Sequence, residues 1–490
     1  MSLFRTKPLS KLLAQAEQGG GLKRTLRAPG LIALGIGAII GAGIFVRTAA
    51  AAGQNAGSGV VFSFIVAAIG CAFAGLCYAE FAAMIPIAGS AYTYAYVTMG
   101  ELIAWVIGWA LILEYALGSA TLSIAWAEYL NQLFPNLVPW AWRHSPFLLE
   151  HGTYGQHGIM NAPALVILFL LTLLLIKGTS ESANVNAIIV AVKVTIVVMI
   201  IALGWKFINP VNHTPLLIPD NLDAMHAGFF KHGWGGVIGG AGVVFFAFIG
   251  FDAVSTAAQE TINPGRDMPI GIMGSLAVCT VLYIAFSWVL TGIAKWADFV
   301  DPSKGMEASV AYAIKTGMPG YDWLATAVTV AILFGFSSVM LVMLLGQSRV
   351  FYSMANDGLL PRLFAEVHPK FHTPYKCNWV LLIFVGLLGG FLPGDITGNL
   401  TAIGTLFAFV LVSIGVLIMR RKNPNAHRPF HTPLVPIVPI LGAVVCSGMI
   451  IGLDTTTQLA ALAWMAIGLC VYFLYARNHS RLNEPVGVEK

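Results

Sequence analysis

Twelve stretches of this chain are apolar almost throughout: about 30–52, 58–84, 101–130, 162–177, 184–207, 235–260, 269–294, 323–352, 377–393, 399–419, 436–453 and 457–476. Most reach the roughly 20 residues with which an α-helix crosses a hydrocarbon core. Nothing in that medium can bond a stray peptide group. Each N–H and C=O must be satisfied within its own segment, so a spanning run must be helix. The two shortest, 162–177 and 377–393, need tilted neighbours or a locally thinner bilayer. Of 490 residues, 57% are hydrophobic and only 10% charged, where a water-soluble domain carries about a quarter charged. The chain reads as an all-α integral membrane protein with twelve transmembrane helices.

The basic residues give the orientation. With the N-terminus inside, the inner segments carry 19 Lys and Arg and the outer segments 7, with Lys193 left in mid-span. Basic residues favour the cytoplasmic side, so both termini are expected in the cytoplasm and the protein in the plasma membrane. The net charge of +5 then reflects topology, not affinity for nucleic acid. Trp140, Trp142, Trp205, Trp234, Trp296 and Trp323 flank outer span ends, as interfacial anchors do. Met1–Pro29 is polar and basic, without the apolar run of a signal peptide. The six cysteines form no CxxC or Cys/His cluster and read as core residues, with no metal or other cofactor implied.

Two of the apolar stretches, about half the chain apart, are punctuated by glycine: GIGAIIGAGIFV from Gly35 to Val46, and GGAGVVFFAFIGFD from Gly239 to Asp252. A membrane helix loses its backbone bonds in mid-bilayer only where protein or a solvated cavity replaces them. Paired interruptions in two halves of a chain point to a transporter's binding site. Gly41 and Gly43 bracket a small residue, so the backbone can leave helical geometry there and approach a guest closely. A helix restarting beyond the break offers free N–H groups at a positive dipole end, which suits a carboxylate. A helix ending at a break leaves carbonyls that suit an ammonium group. The guest is therefore expected to be a small zwitterion. Gly37 and Gly41 fit small-xxx-small helix packing equally well, and both readings stand. Asp252 is placed to cap the restarted half-helix; Phe245, Phe246, Phe248 and Phe251 otherwise suit core packing or lipid.

If the two interrupted stretches correspond, residues 30–207 and 235–421 are two five-helix halves. Five is odd, so the second half starts from the opposite side and the repeat is inverted. Residues 1–29 would form a cytoplasmic segment, 208–234 an extracellular loop, 422–476 two appended helices and 477–490 a cytoplasmic tail.

Two ionisable residues lie deep within spans. Lys193 sits in AIIVAVKVTIVVMIIALG, about ten residues from either end, and Glu114 in AWVIGWALILEYALG. Intramembrane charges are expensive and mark pathways of function. Burial favours the neutral form of a lysine, so Lys193 is a candidate proton carrier. A static internal pair of Lys193 with Glu114 is the competing reading. Glu80 and Glu101, near span ends, are expected to be structural.

The sequence resembles the amino acid–polyamine–organocation (APC) superfamily of transporters, and among them the bacterial relatives of the cationic amino acid transporter family. The resemblance runs from about Leu26 to Arg477. It is carried by GIGAIIGAGIF at Gly35–Phe45, YAEFAAMIPIAGSAYTYAY at Tyr78–Tyr96, GFDAVSTAAQETINPGRDMPIGI at Gly250–Ile272 and GQSRVFYSMANDGLLP at Gly346–Pro361. It implies the LeuT/APC-type five-plus-five fold with helices 1 and 6 broken at the substrate site. By matching positions, a substrate carboxylate would meet the N–H groups of Ala42, Gly43 and Ile44 beside Ile40 and Gly41. The ammonium would meet the carbonyls of Ile39, Phe246 and Ile249, with Phe246 as an aromatic gate. Lys193 matches a lysine that stands where sodium-coupled relatives bind Na⁺, which favours proton coupling. The chain departs from many relatives in having Gln259-Glu260 for Glu-Glu, and from some in having Ala42 for serine. Span 8 offers Ser337, Ser338, Met340 and Met343 as a selectivity wall, and Glu114 is the one obvious deep carboxylate for selectivity or coupling.

The resulting expectation is a proton-coupled symporter importing L-amino acids by alternating access. Small neutral substrates such as alanine are favoured, with cationic ones such as arginine and lysine in second place. Membrane lipids, and a small accessory membrane protein in a groove between helices, are the further candidate partners. The rivals are an exchanger and a sensor that binds an amino acid without moving it. An enzyme is disfavoured: no nucleophile–base pair, metal motif or nucleotide loop appears.

Overall fold

A computed structural model describes residues 5–8, 26–41, 43–85, 90–147, 158–177, 183–220, 222, 225–300, 309–371 and 373–483. Apart from one isolated bridge between Leu26 and Thr261, regular structure among them is helical. Seven helices among the described residues are long and apolar enough to cross a membrane, and five shorter apolar helices accompany them, one before the first and four between. Helix occupies each of the twelve apolar stretches.

The principal helices are α1 (Ala28–Ile39), α2 (Val60–Met84), α3 (Glu101–Leu133), α4 (Ala162–Lys177), α5 (Ala183–Gly204), α6 (Gly233–Val244), α7 (Pro264–Ile293), α8 (Asp322–Asn356), α9 (Tyr375–Phe391), α10 (Gly394–Lys422), α11 (Ile437–Ile451) and α12 (Thr455–Val471). Two short helices, Ser90–Thr98 and Ser309–Gly317, lie in segments that hydropathy leaves as loops. Many large apolar side chains point outward, among them Val281, Phe334 and Leu474. Water does not tolerate so much continuous apolar surface; a bilayer does. The chain is a multi-pass membrane protein.

The helices pack in two groups. In one, α7 lies against α1 and α2, and α2 against α6. In the other, α3 is central and lies against α8, α10, α9 and α4. The carboxylates near span ends hold the edges together. Glu80 takes two bonds from Arg420, at 2.9 and 2.8 Å. Glu101 takes the hydroxyls of Tyr472 at 3.1 Å and Ser480 at 2.5 Å. At the same end Lys7 reaches Asp357 at 2.9 Å, and Asp357 also accepts the Tyr92 hydroxyl at 2.9 Å. The chain entering α1 is sewn to the chain entering α7, since the Leu26 carbonyl accepts the Ile262 N–H at 2.9 Å.

Two positions differ from the expected surface. Arg47, counted among the outer basic residues, is buried and donates to Asn399, whose amide donates to Asp454 at 3.0 Å. Trp296 is buried against His226 and does not stand at an interface.

Candidate functional site

Both glycine-punctuated stretches lose helical geometry. α1 stops at Ile39, and Ile40 turns extended at φ −73°, ψ 100°. The chain restarts as a wide π-type turn over Gly43–Arg47, followed by Thr48–Ala51 and Ala52–Ala56. α6 stops at Val244, tightens into a 3₁₀ turn over Phe245–Phe248, turns extended at Ile249, and passes Gly250 at φ 114°. It resumes as a 3₁₀ run over Asp252–Glu260. Ala42 lies outside the described residues, as do the side chains of Gln259 and Glu260.

The two breaks touch. A β-carbon on Gly43 would fall on the Ala247 backbone, and one on Gly250 would lie 2.8 Å from the Ala38 carbonyl oxygen. Only glycine allows these approaches. The packing use of the glycines and the break are thus compatible: the small residues let one interruption rest on the other.

A helix end leaves its last carbonyls without N–H partners, and here they can be followed one by one. Ile36 takes the Ile40 N–H at 2.9 Å. Gly37 takes the Lys193 ammonium at 3.0 Å. Ala38 lies against Gly250. Ile39 takes the Tyr283 hydroxyl at 3.1 Å, and the same hydroxyl is 2.8 Å from the carbonyl of Ala247 in the other break. At that break Phe246 takes the Ile249 N–H at 3.3 Å. Lys193, on α5, is 3% exposed, and Gly335 on α8 makes room for it, since a β-carbon there would stand 3.1 Å from Cε.

The deep carboxylates gather at the second break. Asp252 is fully buried, and its Oδ1 accepts the Gly250 N–H at 3.3 Å. This corrects the expected cap. Phe251 occupies the cap position, no side chain caps the restarted turn, and Asp252 reaches backward to fasten the break itself. Glu114 is also fully buried, with Asp252 and Thr405 as its polar neighbours. The Thr405 proton goes to the Thr401 carbonyl, at 3.2 Å. Lys193 therefore serves the first break, while Glu114 faces the second.

Of the phenylalanines, Phe245, Phe248 and Phe251 make ring pairs with Phe409, Tyr283, Phe64 and Tyr78. Phe246 is buried but makes no such pair among the described residues. Ile40, Gly41 and Ile44 are buried beside the first break. A cavity of about 10 Å³, room for one water, is lined by Ile40, Gly41, Phe45, Lys193 and Phe336. A second, of about 60 Å³, is lined by Ala38, Tyr115, Ile249, Gly250, Met343 and Arg349.

The expected wall of α8 is only partly at the breaks. Ser337 and Ser338 line an apolar groove of about 660 Å³ with Leu171, Val192 and Phe334, which meets the first break at Lys193 and Gly335, and Ser337 bonds its own helix at Leu333. Met340 is buried, and the residues facing the breaks are Val339, against Gly41, and Met343 and Gly346 in the cavity beside Ile249. Positions 339, 343 and 346 recur at helical spacing; that stripe was available in the sequence. Tyr283 had no such signal, being one tyrosine in an apolar span.

Residues 26–476 match the family model described as amino acid permease. The chain is 42% identical to the branched-chain amino acid permease BcaP of Bacillus subtilis, over 99% of each chain. It is also 42% identical to a methylthioribose transporter of Bacillus subtilis, over 99% of this chain and 100% of that one. It is 33% identical to the vacuolar cationic amino acid transporter 4 of Arabidopsis thaliana, over 86% of this chain and 68% of that one.

Proposed function

The chain belongs to the amino acid permease family, and from that premise we propose that it is a proton-coupled symporter importing neutral aliphatic L-amino acids by alternating access. The observation that carries the reading is the meeting of two interrupted helices with a buried lysine bonded to one of them. N–H groups from Ala42 to Ile44 would receive the carboxylate. The carbonyls of Ile39, Phe246 and Ile249 would receive the ammonium, and Val339, Met343 and Phe246 the side chain. The apolar character of this wall favours alanine and larger aliphatic residues over arginine or lysine.

The five-plus-five repeat is part of the proposal. It is supported by the two packing groups, in which α1 and α6, α2 and α7, α3 and α8, and α4 and α9 each fall together. Four of the five pairs of helices five apart thus share an environment, in keeping with an inverted repeat; α5 and α10 do not, since α5 packs on α1, α7 and α8 and α10 on α3, α11 and α2. Residues 30–207 and 235–421 would be the halves, 422–476 the appended pair, with both termini in the cytoplasm of a bacterial cell. Lipids would cover the outward apolar residues, and the groove beside Ser337 is where a small accessory membrane protein would fit.

In the cycle, Lys193 protonated from outside holds Gly37 and with it the end of α1. Loss of the proton to the cytoplasm weakens the hold on that carbonyl, by removing its charge assistance, and lets α1 move. Glu114 and Asp252 would tune the second break.

The test is uptake of labelled amino acids into liposomes, with proton and sodium gradients imposed separately. Neutral aliphatic uptake driven by the proton gradient alone is expected, with its loss in Lys193→Ala. Counterflow indifferent to pH would favour an exchanger. Methylthioribose is the second substrate reading, favoured by the equal identity to that transporter. It has neither ammonium nor carboxylate, so its uptake without competition from amino acids would displace the zwitterion site.

A further inference from the structure

Tyr283 stands on α7, fully buried, with its ring wedged between Phe64 and Phe248 at centroid distances of 5.4 and 5.2 Å. Held there, its hydroxyl faces the last carbonyl of α1 and a carbonyl of the turn that closes α6, at 3.1 and 2.8 Å. A phenol carries one proton. It can serve one of these acceptors fully or both in part. An ammonium group carries three, so one that takes over Ile39 leaves the phenol proton free for Ala247. A buried carbonyl with no donor is costly, and the cavities beside the breaks, about 10 and 60 Å³, hold little water to supply one.

We propose that Tyr283 is a stand-in for the substrate ammonium, a positioning residue that holds the Ile39 and Ala247 carbonyls together while the site is empty and yields Ile39 when an amine arrives. This rests on the reading of the site as one for an α-amino acid. The hydroxyl and the incoming ammonium compete for Ile39, so the hydroxyl weakens substrate binding while stabilising the empty protein. On arrival of the amine the phenol proton moves wholly to Ala247, keeping the second break in register. No bond is made or broken beyond hydrogen bonds.

The experiment measures binding of the best amino acid from the uptake panel, and of its analogue lacking the amino group, by thermal shift and calorimetry on purified full-length protein. For Tyr283→Phe, the empty protein is expected to melt lower and the amino acid to bind about three- to tenfold more tightly. The analogue should be unaffected. Site-specific 3-fluorotyrosine at position 283, a stronger donor that preserves the ring, should shift amino acid affinity the opposite way. Should Tyr283→Phe fail to fold, this variant alone decides. Weaker amino acid binding by Tyr283→Phe, tighter binding by the fluorotyrosine protein, or equal shifts for amine and analogue would overturn the proposal. If no amino acid stabilises even the unaltered protein, the site reading falls first, and this inference with it.

Discussion

At the scale of single residues, Gly250 is the most constrained position in the second break. Its φ of 114° is one that side chains rarely adopt, and a β-carbon there would stand 2.8 Å from the Ala38 oxygen. Gly250→Ala is expected to lose at least about 1–2 kcal/mol of stability from backbone strain alone. It should also abolish uptake, because the breaks can no longer rest on each other. Retention of uptake and melting point would show that the contact is dispensable. The glycines themselves were legible in the sequence, because two such clusters stand about half the chain apart, although helix packing alone could also use them. Their partners were not. Nothing in the spacing of Asp252 says whether it reaches forward or backward, and the pattern does not distinguish Met340 from Met343 until the facing helix is known.

Among the elements, α12 begins on a side chain that does two tasks. Asp454 accepts the Thr457 N–H at 2.9 Å and is also bonded by the Asn399 amide at 3.0 Å. That amide group's own oxygen receives Arg47, so the cap ties α12 and α10 to the restarted arm of the first break. Burial opposes the charge on Asp454, but the bonds from Thr457 and Asn399 outweigh it and hold the carboxyl below the ordinary aspartate range. A depressed carboxyl contributes stability that is present above its unfolded value, about 4, and is lost as pH falls through its folded value. Asp454→Ala should cost about 0.5–2 kcal/mol, as for other N-caps. Melting curves from pH 7 to pH 3 should converge for the two proteins at the acid end; a constant gap would refute the ionic contribution. The helices were legible because a hydrocarbon medium leaves the backbone no alternative. The helix Ser90–Thr98 was not, since it lies between spans and its sequence, SAYTYAYVT, is only moderately apolar.

For the whole molecule, the grouping of α1, α2, α6 and α7 apart from α3, α4, α8 and α9 could not be read from hydropathy, which says where a chain is apolar and not what it touches. The same holds for the strap at residues 5–8. Besides the Lys7 bond, Arg5 donates to the Leu482 carbonyl at 2.9 Å, and the Lys7 N–H goes to the Tyr96 carbonyl at 3.1 Å. Asp357 anchors the strap through the Lys7 side chain. Asp357→Ala would leave the buried Tyr92 hydroxyl without its acceptor, a loss of about 1–3 kcal/mol, and should expose the strap to protease. Asp357→Asn, which keeps an acceptor for Tyr92, should recover most of the melting point but not the protection. Equal protease resistance in all three proteins would mean that the strap is held elsewhere.

The stitch between Leu26 and Ile262 has a mechanical corollary. It fastens the root of the first interrupted rod to the foot of the second, so independent hinging at that edge must first break this bond, at about 1 kcal/mol. While it holds, a tilt begun by either pulls on its counterpart, as two door leaves do on a shared jamb.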